Sequence, residues 1–317
     1  MRAPRNPNLV GIRDGKILIL GAGAMGRLWA ASLPMGTARF LRRSDSVASD
    51  CPFYFQPMEG KRRAVTITYC DPADVVDVRL LLVTTKAPAT LTALHEQLAG
   101  LHPSIPIVLF QNGLGSQQEV AQRWPHRPIL AASTTEAANR PSPDTTVHAG
   151  IGHTWIGALT PLGNACLQEV IQQLSQSRLT VSAEADIQSR LWQKLVINAG
   201  INPFTALLDC PNGEILNHPL YGQCIDPLCE ELHQLMVAEG LDAPPATELR
   251  ASIESVARAT ANNTSSMRSD VLNGQLTEID YINGYVARRG GELGLEMPVN
   301  RMLTDSVKML SNDYRQR

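Results

Sequence analysis

The chain has 317 residues, 44% of them hydrophobic and 18% charged, with a formal net charge of -2. That balance excludes a disordered chain, which needs low hydrophobicity and high net charge, and it leaves no basic excess for binding nucleic acid through bulk charge. No apolar run reaches the roughly 18 residues of a membrane-spanning helix, so a soluble globular protein of two packed domains is expected.

The opening stretch, Met1-Arg-Ala-Pro-Arg-Asn-Pro-Asn8, lacks the continuous apolar core of a signal peptide, and residues 1–15 read as a frayed extension. Lys16-Ile-Leu-Ile-Leu20 is a buried strand, followed by a helix over Arg27 to Leu33 and a second strand at Ala38-Arg-Phe-Leu41. Val65 to Tyr69 alternates and is β-branched, as a strand requires. Val78 to Thr84, Ile105 to Phe110, Pro128 to Ala132 and His153 to Gly157 are further strands, with helices over Ala89 to Ala99 and Ser116 to Arg123. Strands separated by helical crossovers predict a mostly parallel α/β sheet covered on both faces. From about Val181 strand-like runs disappear. Ile187, Leu191, Leu195 and Ala199 recur at helical spacing, and helices follow over Pro219 to Glu239, Ala246 to Ala261, Thr277 to Arg289 and Asn300 to Leu310. The chain therefore divides into an α/β domain over 16–183 and an all-helical domain over 184–317.

Gly21-Ala-Gly-Ala-Met-Gly26 follows the first strand and opens the first helix. In that context Gly21, Ala22, Gly23, Ala24, Met25 and Gly26 form a dinucleotide-binding loop. Gly21 permits the tight turn, Gly23 lets backbone approach a pyrophosphate, and Gly26 lets helix and strand pack closely. The helix N-terminus adds unpaired N–H groups and partial positive charge. An NAD site places an Asp or Glu at the end of the second strand. Here Arg42 and Arg43 stand instead, suited to the 2′-phosphate of NADP(H), with Asp45 close by as the NAD-type competitor.

Two further loops end strands at the address where open α/β sheets bind ligands. Thr84-Thr-Lys86 offers Lys86 to the adenylate side or the phosphates. Gln111-Asn-Gly113 offers Asn112 to nicotinamide or substrate, although Asn-Gly is also an ordinary turn pair. In the segment Leu191 to Phe204, Lys194, Asn198 and Asn202 fall at i, i+4 and i+8, one stripe of a helix. Such groups among Leu, Val, Ile and Ala are costly unless a polar ligand meets them. Pro203 is expected to end or bend that helix. Glu278 opens the helix expected from Thr277, where a carboxylate also suits the helix dipole. The six cysteines form no CxxC pair and the seven histidines no HExxH pair. These patterns predict reduced thiols, a cytoplasmic location and no dedicated metal site.

Together these residues resemble the ketopantoate reductases, also called 2-dehydropantoate 2-reductases, over nearly the whole chain after residue 15. The resemblance rests on the glycine loop, Thr85-Lys86, Gln111-Asn-Gly-Leu-Gly115, Lys194-Leu-Val-Ile-Asn198 with Asn202-Pro203, and Ser265-Ser-Met267 leading to Thr277-Glu-Ile-Asp-Tyr-Ile-Asn-Gly284. It implies NADPH-dependent reduction of 2-dehydropantoate to (R)-pantoate, toward pantothenate and coenzyme A. It further implies that Lys194 is the catalytic lysine and that Glu278 pairs with it and helps hold substrate. Asn198, Asn202 and Ser266 match the substrate-binding residues. Asn112 contacts both cofactor and substrate, and Glu278, Arg42 and Lys86 join it on the cofactor. The expected partner is a small-molecule substrate, with neither nucleic acid nor membrane, in a monomer or homodimer. The competing readings are a reductase of the same architecture acting on another 2-oxo acid, and a non-catalytic NADPH-binding sensor. The sensor has no reason to retain Lys194 with Asn198 and Glu278.

Overall fold

Short continuous apolar runs, buried on both faces, layer the first half of the chain. The structure, a computed structural model, describes residues 15–42 and 47–316. The extension read over 1–15 lies outside the described residues except for Gly15, as do Arg43 and Asp45. In chain order the first half comprises β1 (Lys16–Leu20), α1 (Ala24–Ser32), β2 (Ala38–Leu41), β3 (Asp50–Gln56), β4 (Arg63–Cys70) and β5 (Val78–Val83). It continues with α2 (Ala87–Gln97), β6 (Ile107–Leu109), α3 (Ser116–Arg123), β7 (Ile129–Thr134), β8 (Ala137–Ser142) and β9 (Thr145–Gly150). The last elements before the helical half are β10 (Thr154–Ala158), α4 (Pro161–Leu174) and β11 (Val181–Ala183).

The strands form one sheet in the order β11-β10-β7-β6-β5-β1-β2-β4-β3-β9-β8. From β7 through β4 every neighbouring pair is parallel, so the carboxyl ends of β1, β2, β5, β6 and β7 share one edge. Ile17, Ile19, Leu80, Leu82 and Val108 point to one face and pack with Trp29 of α1 and Val170 of α4. The intervening Leu18, Leu20, Leu81, Val83 and Leu109 point to the other face, with Leu94 of α2 and Val120 of α3. This two-sided burial is why the strands read as continuous apolar runs.

Four strands and one helix of this half were not anticipated. In β3, Cys51, Phe53 and Phe55 are buried between exposed neighbours, but Pro52 interrupts the run. It is tolerated because β9 pairs only with Tyr54 to Gln56, leaving that side of Pro52 free. β8 is mostly exposed, with Pro141 inside a register shift against β9. β11 has three residues only. α4 begins with a capped turn, the Thr160 hydroxyl accepting from Gly163 N–H, and with Pro161 in its first turn.

The second half consists of α5 (Ile187–Leu208), α6 (Pro219–Ala238), α7 (Ala246–Ala259), α8 (Ser266–Leu272), α9 (Asn283–Glu292) and α10 (Pro298–Gln316). Leu195, Phe204, Ile225, Leu232, Ile253, Val286 and Leu303 form its core, which Leu114 and Ala131 of the first half join.

Of the two outcomes expected at Pro203 the ending is overturned, and one helix expectation is corrected. α5 does not end at Pro203 but runs on to Leu208. The helix expected over Thr277 to Arg289 is broken into a 3-10 turn at Ile279–Tyr281 and then α9, with Ile282 at φ -108° and ψ -98° between them. The break has a cause. The Tyr281 carbonyl accepts from Leu114 N–H at 2.8 Å, so it is turned away from the N–H four residues on that a continuous helix would supply. Glu278 therefore caps a short turn instead of opening a long helix.

Candidate active site

The glycine loop is held against the end of β5. Gly21 has φ +112°, and a Cβ there would lie 2.8 Å from Thr85 N. A Cβ on Gly26 would overlap the Gly21 carbonyl oxygen. The Thr84 hydroxyl donates to that same oxygen at 2.7 Å, tying the loops after β1 and β5 together. Gly23, by contrast, faces open space. It caps α1, whose first turn carries no acidic residue. The backbone is thus crowded where it must turn, in a conformation that glycine adopts freely, and bare where an anion would approach. These residues fit a dinucleotide pyrophosphate.

Lys194, in the third turn of α5, reaches back across the sheet edge and donates to the Thr134 carbonyl at the end of β7, 2.9 Å away. Burial pulls its ammonium down from 10.5 to about 8, and the negative charge of Glu278 opposes that fall. Glu278 itself is buried. One of its oxygens accepts from Ala87 N–H at the start of α2 at 3.0 Å, the other from the Asn112 amide at 2.9 Å. A carboxylate at a helix N-terminus is favoured by the peptide dipoles. Glu278 acts on Lys194 through space while its hydrogen bonds go to the α/β half.

Asn112 reaches Glu278 because its loop docks tightly. Gly113 has φ +79°, and a Cβ there would overlap the Tyr281 carbonyl. The glycine makes the close approach of a turn, and the asparagine uses it to reach Glu278. Farther along α5, Asn198 is partly buried and Asn202 buried. Neither side chain has a hydrogen-bond partner among the described residues, which leaves both amides available to a polar ligand.

Two family models match this chain, ketopantoate reductase PanE/ApbA over residues 17–161 and its C-terminal counterpart over residues 186–311. The chain belongs to the ketopantoate reductase family. Among its relatives, the 2-dehydropantoate 2-reductase of Vibrio cholerae is 31% identical over 306 residues, covering 94% of this chain and 98% of the relative. That of Yersinia pestis is 33% identical over 304 residues, covering 94% and 96%. A solved D-mandelate dehydrogenase, in ternary complex with NADH and anilino(oxo)acetate, superposes with a TM-score of 0.82 at 23% identity, covering 94% of this chain and 99% of that one. At that identity the likeness concerns the fold.

Within this reductase framework the other candidate residues have distinct surroundings. Arg42 leaves the end of β2 with its Nε 3.5 Å from Asp71. Lys86 caps α2 and spans to the helical half, donating to Asp270 at 2.6 Å and to the Leu276 carbonyl at 3.0 Å. Burial raises the Asp270 carboxyl to about 6 even though Lys86 favours its charged form. Ser266 is exposed in the first turn of α8 and its hydroxyl makes no hydrogen bond to the other candidates among the described residues. Its buried neighbour Ser265 caps that helix and meets the Thr205 hydroxyl of α5 at 2.7 Å.

Several contributors escaped the sequence reading. Thr134 enters through its backbone carbonyl, which no side-chain pattern reveals. The buried Gln111 amide donates to the carbonyls of Val83 and Thr85, and Gln117 donates to those of Gln111 and Gly113. These two glutamines lock the loops after β5 and β6 in place. Gln111 stands beside Asn112, and a buried amide at a strand end was the available signal. Among the described residues no helix is long and apolar enough to cross a membrane, and no group of three or more His, Cys, Asp or Glu could hold a metal.

Proposed function

We propose that the protein reduces 2-dehydropantoate to (R)-pantoate with NADPH in the cytoplasm. Residues 16–183 bind the dinucleotide and residues 184–317 supply the acid and most substrate contacts. The observation that carries this reading is Lys194: an ammonium pulled to about 8 by burial, held at the carboxyl end of β7, with the buried Glu278 carboxylate acting on it.

Gly21 to Gly26 would hold the pyrophosphate, Arg42 and Lys86 the phosphate of the adenosine end, and Asn112 the nicotinamide side. When bound, NADPH supplies the hydride that the keto carbon accepts. Charge then develops on the keto oxygen, and Lys194 delivers its proton there as general acid. A lysine near 8 gives up that proton more readily than one at 10.5, while remaining mostly protonated at neutral pH. Glu278 keeps the ammonium from losing its charge altogether, and its anchorage to Asn112 and α2 prevents it from collapsing onto the lysine. Asn198, Asn202 and Ser266 bind the hydroxyl and carboxylate ends of the substrate. The reaction balances: the carbonyl gains a hydride at carbon and a proton at oxygen, giving an alcohol.

The test is NADPH absorbance followed with purified protein and 2-dehydropantoate, beside a panel of other 2-oxo acids. Turnover of 2-dehydropantoate with the highest kcat/KM is expected. A clear preference for another 2-oxo acid would reassign the substrate, and no oxidation of NADPH with any of them would overturn the reading.

A further inference from the structure

α5 carries Lys194, Asn198 and Asn202 on one stripe, yet it contains a proline between the stripe and its end. Pro203 has no N–H to give to the carbonyl of Ala199, four residues back. Ala199 is fully buried, so water cannot serve that oxygen, and an unpaired buried carbonyl is costly. The second internal proline, Pro227 in α6, poses no such problem, because Gln223, four residues before it, is exposed.

The Ala199 carbonyl receives its donor from another helix. The Asn283 amide, fully buried, donates to it at 3.2 Å and to Asn300 Oδ1 at 3.0 Å. Asn300 in turn donates from its own amide to Glu231 Oε2 at 2.7 Å. Glu231 also accepts from the backbone N–H groups of Val299 and Asn300, capping α10. The side chain that replaces the missing N–H is thus fixed by α6, α9 and α10 together. Its place in the chain matters as much. Asn283 lies five residues beyond Glu278, across the turn that docks on Leu114. The carbonyl that it serves lies between Asn198 and Asn202.

We propose that Asn283 is a positioning residue, which supplies the hydrogen bond that Pro203 cannot and so sets the substrate stripe of α5 relative to the Glu278 segment. This rests on the assignment of that stripe to substrate binding. Without the donor, α5 opens at Ala199 and the two asparagines lose their common aim, while the glycine loop after β1 is untouched.

The experiment is a double-mutant cycle of Asn283→Ala and Pro203→Ala, because alanine at 203 restores the backbone N–H. N283A should raise KM for 2-dehydropantoate about tenfold and leave KM for NADPH unchanged. It should also speed hydrogen exchange in α5 peptides spanning residues 199–206. P203A alone should behave as wild type, and in its background N283A should change KM and exchange by less than about twofold. If N283A fails to fold, a folded and active P203A/N283A protein supports the proposal, and an equally unfolded double variant overturns it. An N283A effect of equal size in both backgrounds, or one confined to Tm with KM and exchange unchanged, overturns it too. Turnover by the wild type tests the substrate assignment separately, and hydrogen exchange reads the coupling without any substrate.

Discussion

Replacing Lys194 by Met should separate stability from activity. Burial moves the ammonium from 10.5 to about 8, which corresponds to about 3 kcal/mol by which the native state holds a charge that it would rather shed. Methionine removes that cost but leaves the Thr134 carbonyl without its donor, a loss of about 1–3 kcal/mol. The two nearly cancel, so K194M should melt close to the wild type while kcat falls by about a hundredfold to ten-thousandfold. The same residue predicts opposite pH slopes. Lysine in the unfolded chain titrates near 10.5 and in the native protein near 8. Between those values the unfolded chain binds more protons, so the native state gains stability as pH rises through that window. Activity must fall in the same window, because the acid has lost its proton. The assay is kcat/KM for 2-dehydropantoate from pH 6.5 to 10, which reports the free enzyme, beside urea denaturation at the same pH values. A falling limb near 8 is expected, and Glu278→Gln should move it lower, since the glutamate charge raises the lysine. A limb near 10, or one that E278Q leaves in place, would refute the general-acid reasoning.

Arg42→Ala should raise KM for NADPH by about tenfold to a hundredfold, the worth of a charge-assisted contact, and leave KM for NADH unchanged; an unaltered preference would move the 2′-phosphate to Arg43 or Lys86. Gly26→Ala should lower Tm and weaken NADPH binding, because its Cβ would overlap the Gly21 carbonyl and press on Thr84 Oγ1, a strain of about 1–3 kcal/mol. Calorimetry and NADPH fluorescence titration check it. The Asp270 carboxyl, raised to about 6 by burial, binds its proton more tightly in the native state than in the unfolded chain. Its contribution to stability is therefore lost as pH rises from about 4 through 6. Asp270→Asn should flatten that part of the stability profile, measured by chemical denaturation at pH 4.5 and 7.

The elements legible in the sequence were those whose signal is local. β1, β2 and α3 lie where periodicity placed them, because two-sided burial of β1 and the capping glutamine of α3, Gln118 on Gly115 N–H, are written into adjacent residues. β8 and β9 could not be read that way. Their residues are held by pairing with each other and by β9 lying against β3, a neighbour some ninety positions earlier, and no alternation of apolar residues was required for it. The site divides along the same line. Lys194, Asn198 and Asn202 share a stripe by helical spacing alone. Their counterparts do not: Thr134 is 60 residues from Lys194, Asn112 is 166 from Glu278, and Lys86 is 184 from Asp270.

The helix that runs past Pro203 and the helix broken after Glu278 both trace to this limit. Pro203 signals a helix end only if the Ala199 carbonyl must find its donor within α5, and the donor comes from Asn283, 84 residues on. Thr277 to Arg289 signals a continuous helix only if the Tyr281 carbonyl stays within it, and that oxygen is taken by Leu114 N–H. In each case a backbone carbonyl is satisfied from outside its own helix. Each such exchange occurs beside a charged or polar candidate of the site, Asn202 in one case and Glu278 in the other. A continuous helix from Thr277 would have put Glu278 in an ordinary first turn. The exchange with Leu114 instead caps a short turn with it and leaves both its oxygens to Ala87 and Asn112. The departures from local helical bonding are therefore what leave the carboxylate fixed to the α/β half and within electrostatic reach of the lysine stripe.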